Sequence, residues 1–535
     1  MKKSLIALLA LALLLTICPT ALAEDAPVVL TVTVPSKTNI EDYETNLTTL
    51  YIEEALGVDL QFNVLSSDQY QDKINLMINS NEPLSDIVMF SGKVSDDVIY
   101  SWAQEGAIAP LTEFYYDEEL AVNIYESFDR VGTDYRPQMI MPDGEIYYLP
   151  QFNQSYGNEY SGKLWYYPAW LEAVGGELPE TLDELCDLLR AIVSTDLNGN
   201  GIADEIGLTG WNGINGQWFS YLMNSFLYYD TSNNHVKIED GTLSFSYTEE
   251  AFREGVEYIA GMIEEGLVAP EAVSQKQAEW TTMINSADHS VFLVSYTTPS
   301  QIMDGTIKAQ YEILPPVEGP DGVCYSMFNP SVANAYMVVS SACEHPELAF
   351  AVGDLMCSEL LSITTRWGQE GVDWDYVANT DDPSQYAGNY AVFGAYLIIY
   401  NDAQFWSSGG MQNRAYMQVG PFVRQYGLAG GRAVKVGNES PYDLHIAEGD
   451  TLYQTGGYMP AEVISKLIFS AEETEIMNGI STDLNTYVNE TVAGWLLDGA
   501  SLTDEAWTTF LATVDEMGAY DLLECMQASA RPGKS

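Results

Sequence analysis

Between residues 28 and 90 the chain alternates strand-like and helix-like runs, and that order leaves few folds open. Val28 to Val34 is β-branched and bounded by Pro35, which predicts a strand. A helical stretch follows over about 40–56, and Val58 to Leu65 alternates as a second strand. Tyr70 to Asn79 carries Ile74, Met77 and Ile78 at the spacing of one helical face. Ser85 to Phe90 is a third strand-like run. Strand, helix, strand, helix, strand opens a parallel α/β lobe. In such sheets ligands bind beyond the carboxyl ends of the strands, so the loops after Val34 and Phe90 face a candidate cleft.

A chain of 535 residues, 47% of them hydrophobic, is long enough for two or more lobes and has the material for large cores. At the N-terminus, Lys2 and Lys3 precede an apolar run from Leu5 to Leu15 that is too short to span a bilayer. Ala21-Leu22-Ala23 is a small-x-small cleavage site. The expectation is a secretory signal over residues 1–23, cleaved after Ala23, with the mature protein secreted to the cell surface or periplasm. Leu15-Thr16-Ile17-Cys18 resembles a lipid-attachment signal, but Ile17 is bulky and Pro19 follows. Anchoring at Cys18 is therefore the lesser reading.

The formal charge is −56, from 21 basic and 77 acidic residues. Such a surface repels nucleic acid and anionic membranes, so no nucleic-acid partner is expected. Five cysteines follow the signal: Cys186, Cys324, Cys343, Cys357 and Cys525. Without a C-x-x-C pair or regular spacing, they suggest neither a zinc site nor a disulfide framework, although one disulfide stays possible.

The most distinctive local motif is Asp196 to Glu205, D-L-N-G-N-G-I-A-D-E. It sets side-chain oxygens at Asp196, Asn198, Asn200, Asp204 and Glu205, with the Ile202 carbonyl between the two halves. Gly199 and Gly201 allow the backbone to turn inward. A hard cation such as Ca²⁺ takes about six to eight oxygen ligands, so the expectation is a structural Ca²⁺. An EF-hand would close with a Glu at position 12, where this chain has Gly207. An acidic Asn-Gly turn without an ion is the alternative.

Further along, Gly144 to Pro150 reads as a short strand, and Leu164 to Trp170 is aromatic. Thr181 with Glu184 is a capping box ahead of an apolar stripe from Leu182 to Ile192. Val291 to Tyr296, Tyr311 to Pro316 and Asn334 to Ser340 are strand-like. The last third is mainly helical, with a second capping box at Ser470 and Glu473 and a final helix over about 503–517.

Several segments in register resemble the family 1 extracellular solute-binding proteins of ABC importers, in the branch of large carbohydrate-binding lipoproteins and alginate-binding proteins. They include S-D-I-V-M-F at 85–90, Q-E-G-A-I-A-P-L-T at 104–112, G-E-I-Y-Y-L-P at 144–150 and A-W-L-E-A-V-G-G-E-L-P-E-T-L-D-E-L at 169–185. The loop at 196–205, L-P-P-V-E-G-P-D-G at 314–322 and W-G-Q-E-G-V-D-W at 367–374 continue the match. The resemblance implies an α/β, two-lobed, periplasmic-binding-protein-like fold of type II with a helical C-terminal region. Its first lobe is expected over 24–145 and about 290–345, its second over about 146–289 and about 346–535. It also implies a carbohydrate in the interlobe cleft, Ca²⁺ on the 196–205 loop, membrane permease subunits as partners, and no enzymatic activity. A monomer suits that mechanism. Departures from the family pattern occur at Ala169 and Tyr296 and at the lipid-attachment signal.

The residues themselves support a sugar site. Aromatic content is 12%, with 35 Tyr and 11 Trp. Sugar rings lay apolar C–H faces on aromatic planes while their hydroxyls need fixed donors and acceptors. Candidate ligand-binding residues are Trp165, Tyr166, Trp211, Trp218, Tyr296, Glu370 and Trp374. Core packing is the competing role for each aromatic, and a solvated carboxylate for Glu370. Two rival functions stand beside transport: a secreted calcium-stabilised glycoside hydrolase, which needs two carboxylates flanking a scissile bond, and a non-transport surface sugar-binding or sensory protein.

Overall fold

The computed structural model describes residues 26–532 except 233, 287–289, 389–396, 401–409, 427–432 and 439. The expected signal, 1–23, and Cys18 lie outside the described residues. Two sheets organise the molecule. Strands β1 (Val28–Pro35), β2 (Val58–Leu65) and β3 (Ile87–Val94) are parallel, as the opening pattern predicts, with Val28 opposite Val58 and Pro35 opposite Leu65. Helix α1 (Leu47–Leu56) is shorter than the sequence suggests. Asn46 caps it by accepting from the Thr48 N–H, and residues 40–46 form turns instead.

The first sheet is completed by segments from far along the chain. Strand β4 (Leu149–Asn153) lies beside β9 (Asn334–Val339), which runs antiparallel to both β3 and β4. Strand β10 (Phe422–Arg424) adds to β4 in parallel, giving the order β10–β4–β9–β3–β1–β2. Leu30, Val32, Val34, Met89, Phe152, Met337 and Phe350 meet in its core.

The second sheet has the order β8–β5–β7–β6, from β5 (Leu164–Tyr166), β6 (Ile206–Thr209), β7 (Val291–Ser295) and β8 (Glu312–Leu314). Here the lobe boundaries differ from those expected. Residues 291–314 belong to the second sheet, not the first, and helices within 346–367 pack on the first core. All five residues of β7 are buried, which requires a neighbour on each side; β5 and β6 supply them. A uniformly apolar run reveals such a strand but not which sheet receives it.

Helix α2 (Leu182–Val193) is held by the Thr181–Glu184 capping box and buries Leu185, Leu188, Leu189 and Ile192 against this sheet's core. The C-terminal helices Ala471–Leu497 and Asp504–Glu516 add Leu484, Val488, Trp495 and Phe510 to the same core, with the Ser470–Glu473 box formed. The five cysteines of the described chain are free. No single helix among the described residues is long and apolar enough to cross a membrane.

The topology defines where a ligand could sit. The chain leaves β4 at Asn153 and enters β5 at Leu164, so the carboxyl end of β4 and the amino end of β5 border one gap. Strands β1, β2 and β3 run with β4, while β6 and β7 run against β5. The carboxyl ends of all five therefore face the interlobe gap.

Candidate functional site

Beyond the carboxyl ends of β6 and β7 stand Trp211 and Tyr296, each half-buried. Between them lies Trp280, on the helix α3 (Gln277–Ile284). Its ring stacks on Tyr296 at 6.1 Å between centroids and tilts towards Trp211 at 6.4 Å. Trp280 is fully buried, and its Nε1–H has no acceptor among the described residues. The loop holding Trp211 is tightly built. A Cβ on Gly210 would fall 2.2 Å from the Trp218 ring, and one on Gly216 would fall 2.1 Å from the Trp211 carbonyl oxygen. Gln275 donates to the Gly210 carbonyl at 2.6 Å and accepts from the Asn212 N–H at 3.1 Å. Gln217 donates weakly to Thr297 at 3.4 Å, and its Oε1 is buried without a partner among the described residues.

The same apolar cluster continues from these three rings to Tyr160, Phe328 and Met459. Those residues line a cavity of about 930 Å³ with Gln138, Phe152, Gln154, Glu159, Tyr426 and Gln454. Its walls come from the first crossing (154–163), the second (328–331) and the end of helix α4 (Pro441–Thr455), so both lobes contribute. The Tyr160 and Phe328 rings meet edge to face at 5.0 Å.

Glu159 is the buried carboxylate of this cavity. It accepts from Ser331 Oγ at 2.7 Å, from Tyr426 OH at 2.8 and 2.9 Å, and from Gln454 Nε2 at 3.1 Å. Burial pushes its pKa above the usual carboxylate range; the hydrogen bonds oppose that rise and the nearby Asp450 carboxylate adds to it. Close by, Lys163 and Asp450 form an ion pair with both side chains buried. Burial pulls the Lys163 ammonium down and Asp450 opposes it.

Of the sequence-derived ligand candidates, Trp211 and Tyr296 come together. The others take different roles. Trp165 is fully buried beneath the site and donates to the Tyr296 carbonyl at 2.9 Å, so it positions that loop. Tyr166 is buried, with its OH donating to Glu312. Trp218 is core, as the close glycines around it require. Trp374 is buried in a small separate cluster with Trp367 and donates to the Gly368 carbonyl. Glu370 is exposed beside Leu50, Tyr51 and Leu360, among residues that do not border the interlobe cavity. Trp280, Glu159, Tyr160 and Phe328 were not legible as site residues. Trp280 sits in a short helix without motif, and the crossing residues become neighbours only when the lobes form.

The 196–205 loop joins α2 to the amino end of β6, opposite the end bearing Trp211. Asp196 accepts from the Gly199 and Gly201 N–H groups, while Asn198 and Asn200 accept from the Asn200 and Ile202 N–H groups. Asn200 donates to Asp204 at 3.0 Å. Both glycines have positive φ, at 75° and 93°. Glu205 is buried; its Oε1 accepts from Leu197 and Asn198, and its Oε2 has no partner among the described residues. The orphaned carboxylate oxygen is a donor of the kind a hard cation takes, while among the described residues no three acidic side chains come together as a ready metal site.

Two α/β lobes joined by crossing segments, with aromatic rings and amides between their strand ends, define a two-lobed solute receptor. The chain belongs to the bacterial extracellular solute-binding protein family, whose pattern matches residues 39–359. It is 24% identical over 484 residues to the fructooligosaccharide ABC transporter substrate-binding protein FusA of Streptococcus pneumoniae, covering 89% of this chain and 85% of that one. In solved structures, a FusA EF-hand mutant in complex with fructo-nystose superposes with a TM-score of 0.65 at 23% identity. An HMO-binding, ABC-transporter-associated solute-binding protein of Bifidobacterium longum infantis does so at 0.73 and 17% identity. Each alignment covers 94% of this chain and 98% of the other.

Proposed function

We propose that this protein is the substrate-binding component of an ABC importer, that it takes an oligosaccharide into the interlobe cavity, and that it delivers it unmodified to permease subunits in the membrane. The observation that carries the reading is the aromatic run Trp211–Trp280–Tyr296, continuous through one apolar cluster with Tyr160 and Phe328. Amide side chains at Gln138, Gln154 and Gln454 line the interlobe cavity together with Tyr160 and Phe328. Flat rings take the C–H faces of sugars and amides take their hydroxyls. The relatives' descriptions as oligosaccharide-binding proteins agree with this chemistry. A ligand touching both lobes favours the closed state by its differential affinity for it.

Titration calorimetry against neutral oligosaccharides, with the sugar analysed afterwards, tests the reading. Saturable binding with intact sugar is the expected result; cleaved sugar would make the protein a hydrolase.

Asp196, Asn198, Asn200, Asp204 and Glu205, with the Ile202 carbonyl, would hold a structural Ca²⁺. The orphaned Glu205 Oε2 and the description of a FusA variant as an EF-hand mutant support that role. The ion would tie α2 to β6 at the end remote from the sugar. Chelation is expected to lower the unfolding midpoint, and added Ca²⁺ to restore it. An unchanged midpoint would leave the loop an ion-free acidic turn. Export with cleavage after Ala23 is expected to leave Glu24 as the mature N-terminus, which mass spectrometry would read directly.

A further inference from the structure

We infer that Glu159 is a specificity-determining residue: its carboxylate makes the interlobe site discriminate against acidic oligosaccharides, such as those bearing uronates, in favour of neutral and amine-bearing ones. The inference rests on the oligosaccharide reading above and specifies its substrate class.

Three observations carry it. First, the cavity is lined by two carboxylates, Asp134 and Glu159, and by no lysine, arginine or histidine among the described residues. Second, the two acids are not equivalent. Asp134 is neutralised by Arg136, which holds it through Nε and Nη2. Among the described residues, Glu159 is met by neutral donors: a serine hydroxyl, a tyrosine hydroxyl and a glutamine amide. Third, the cation nearest in the chain, Lys163, is buried and committed to Asp450. Its charge is therefore spent on a second carboxylate rather than on Glu159.

Three neutral donors, the Tyr426 hydroxyl shared between both oxygens, hold a carboxylate in place without cancelling its charge. Buried as Glu159 is, that charge acts at a lower effective dielectric than a surface charge does. A ligand carboxylate entering the same space meets a like charge, with no lysine, arginine or histidine among the described lining residues to bridge the two. A neutral hydroxyl meets an acceptor instead, and a protonated amine a favourable partner. The acidic surface of the whole protein also repels anions, but that field is screened beyond about 8 Å at physiological ionic strength. Discrimination by the buried carboxylate is expected to survive added salt, and discrimination by the surface is not.

The test is titration calorimetry of the intact mature protein with matched forms of one bound glycan: neutral, oxidised to a uronate, and bearing a 2-amino group. It is run at low and high salt on the wild type and on Glu159→Gln. The expected result is at least about tenfold weaker binding of the uronate than of the neutral form, persisting at high salt. Glu159→Gln should narrow that ratio several-fold and remove any preference for the amine. A purely structural role would shift all three affinities together and leave the ratios intact, which would overturn the inference. So would a wild type that binds the uronate as tightly as the neutral form, while the oligosaccharide reading would stand. Failure to bind any glycan would overturn both.

Discussion

At the residue scale, His235 is the clearest titrating group outside the site. It is fully buried against Tyr229, with ring centroids 5.1 Å apart, and burial pushes its imidazole down to about 4. An unfolded chain would protonate it near 6.5. Between those values the unfolded state binds the proton and the folded state does not, so stability rises with pH across the window and is lost on acidification. The expected effect is roughly 3 kcal/mol at most, from 1.36 kcal/mol per pKa unit. Unfolding midpoints measured from pH 7 to 4 should fall more steeply in the wild type than in His235→Asn, a substitution suited to the positive φ of 62° at this position. Parallel curves would show that another group carries the acid sensitivity. Glu159 works in the opposite direction: a carboxyl raised in the folded state loses stability as pH rises towards its folded value.

At the scale of elements, local signals were legible and long-range ones were not. Both capping boxes, three opening strands and the 503–517 helix follow from neighbouring residues, and the structure contains each. Thr181→Ala removes the acceptor for the Glu184 N–H and should cost about 1 kcal/mol in chemical denaturation. A negligible change would mean that tertiary packing of Leu185 and Leu189 alone holds α2. Aromatic candidates divided differently. Trp211 and Tyr296 follow strand ends and border the gap, whereas Trp165 and Trp218 belong to packed elements and are buried. A tryptophan's sequence neighbourhood does not say which face of a sheet it will occupy once sheets associate. Trp280 shows the same point in reverse, since its place between Trp211 and Tyr296 depends on contacts that span three separate elements. Strand β7 was recognisable as buried, but its assignment to the second sheet required knowing that β5 and β6 would flank it.

At the scale of the whole molecule, the lobes are linked by buried polar groups as well as by crossing backbone. Lys466 donates to Asp96 at 2.9 Å, to the Tyr148 hydroxyl at 2.9 Å and to the Ala333 carbonyl at 2.7 Å. Asp96 and Tyr148 belong to the first lobe, while the strand containing Lys466 pairs with the C-terminal segment Ala530–Pro532. Breaking one side of a buried pair is strongly destabilising, about 3–5 kcal/mol, because the remaining charge is left uncompensated. Lys466→Ala should therefore unfold at markedly lower denaturant, and Lys466→Met with Asp96→Asn should recover much of the loss. Equal losses in the two variants would assign the effect to packing rather than charge. The lobes, the strand ends that face each other and the cavity between them together make a two-lobed solute receptor.

The most direct test of that account is thermal unfolding of the mature protein with and without a neutral oligosaccharide it binds, compared between wild type and Trp211→Ala. A ligand at 100 times its dissociation constant should stabilise the wild type by about 2.7 kcal/mol. The account expects that stabilisation to be lost or sharply reduced in Trp211→Ala at the same sugar concentration. An equal shift in both proteins would place the sugar away from the aromatic cluster, and no shift with any oligosaccharide would contradict the receptor reading itself.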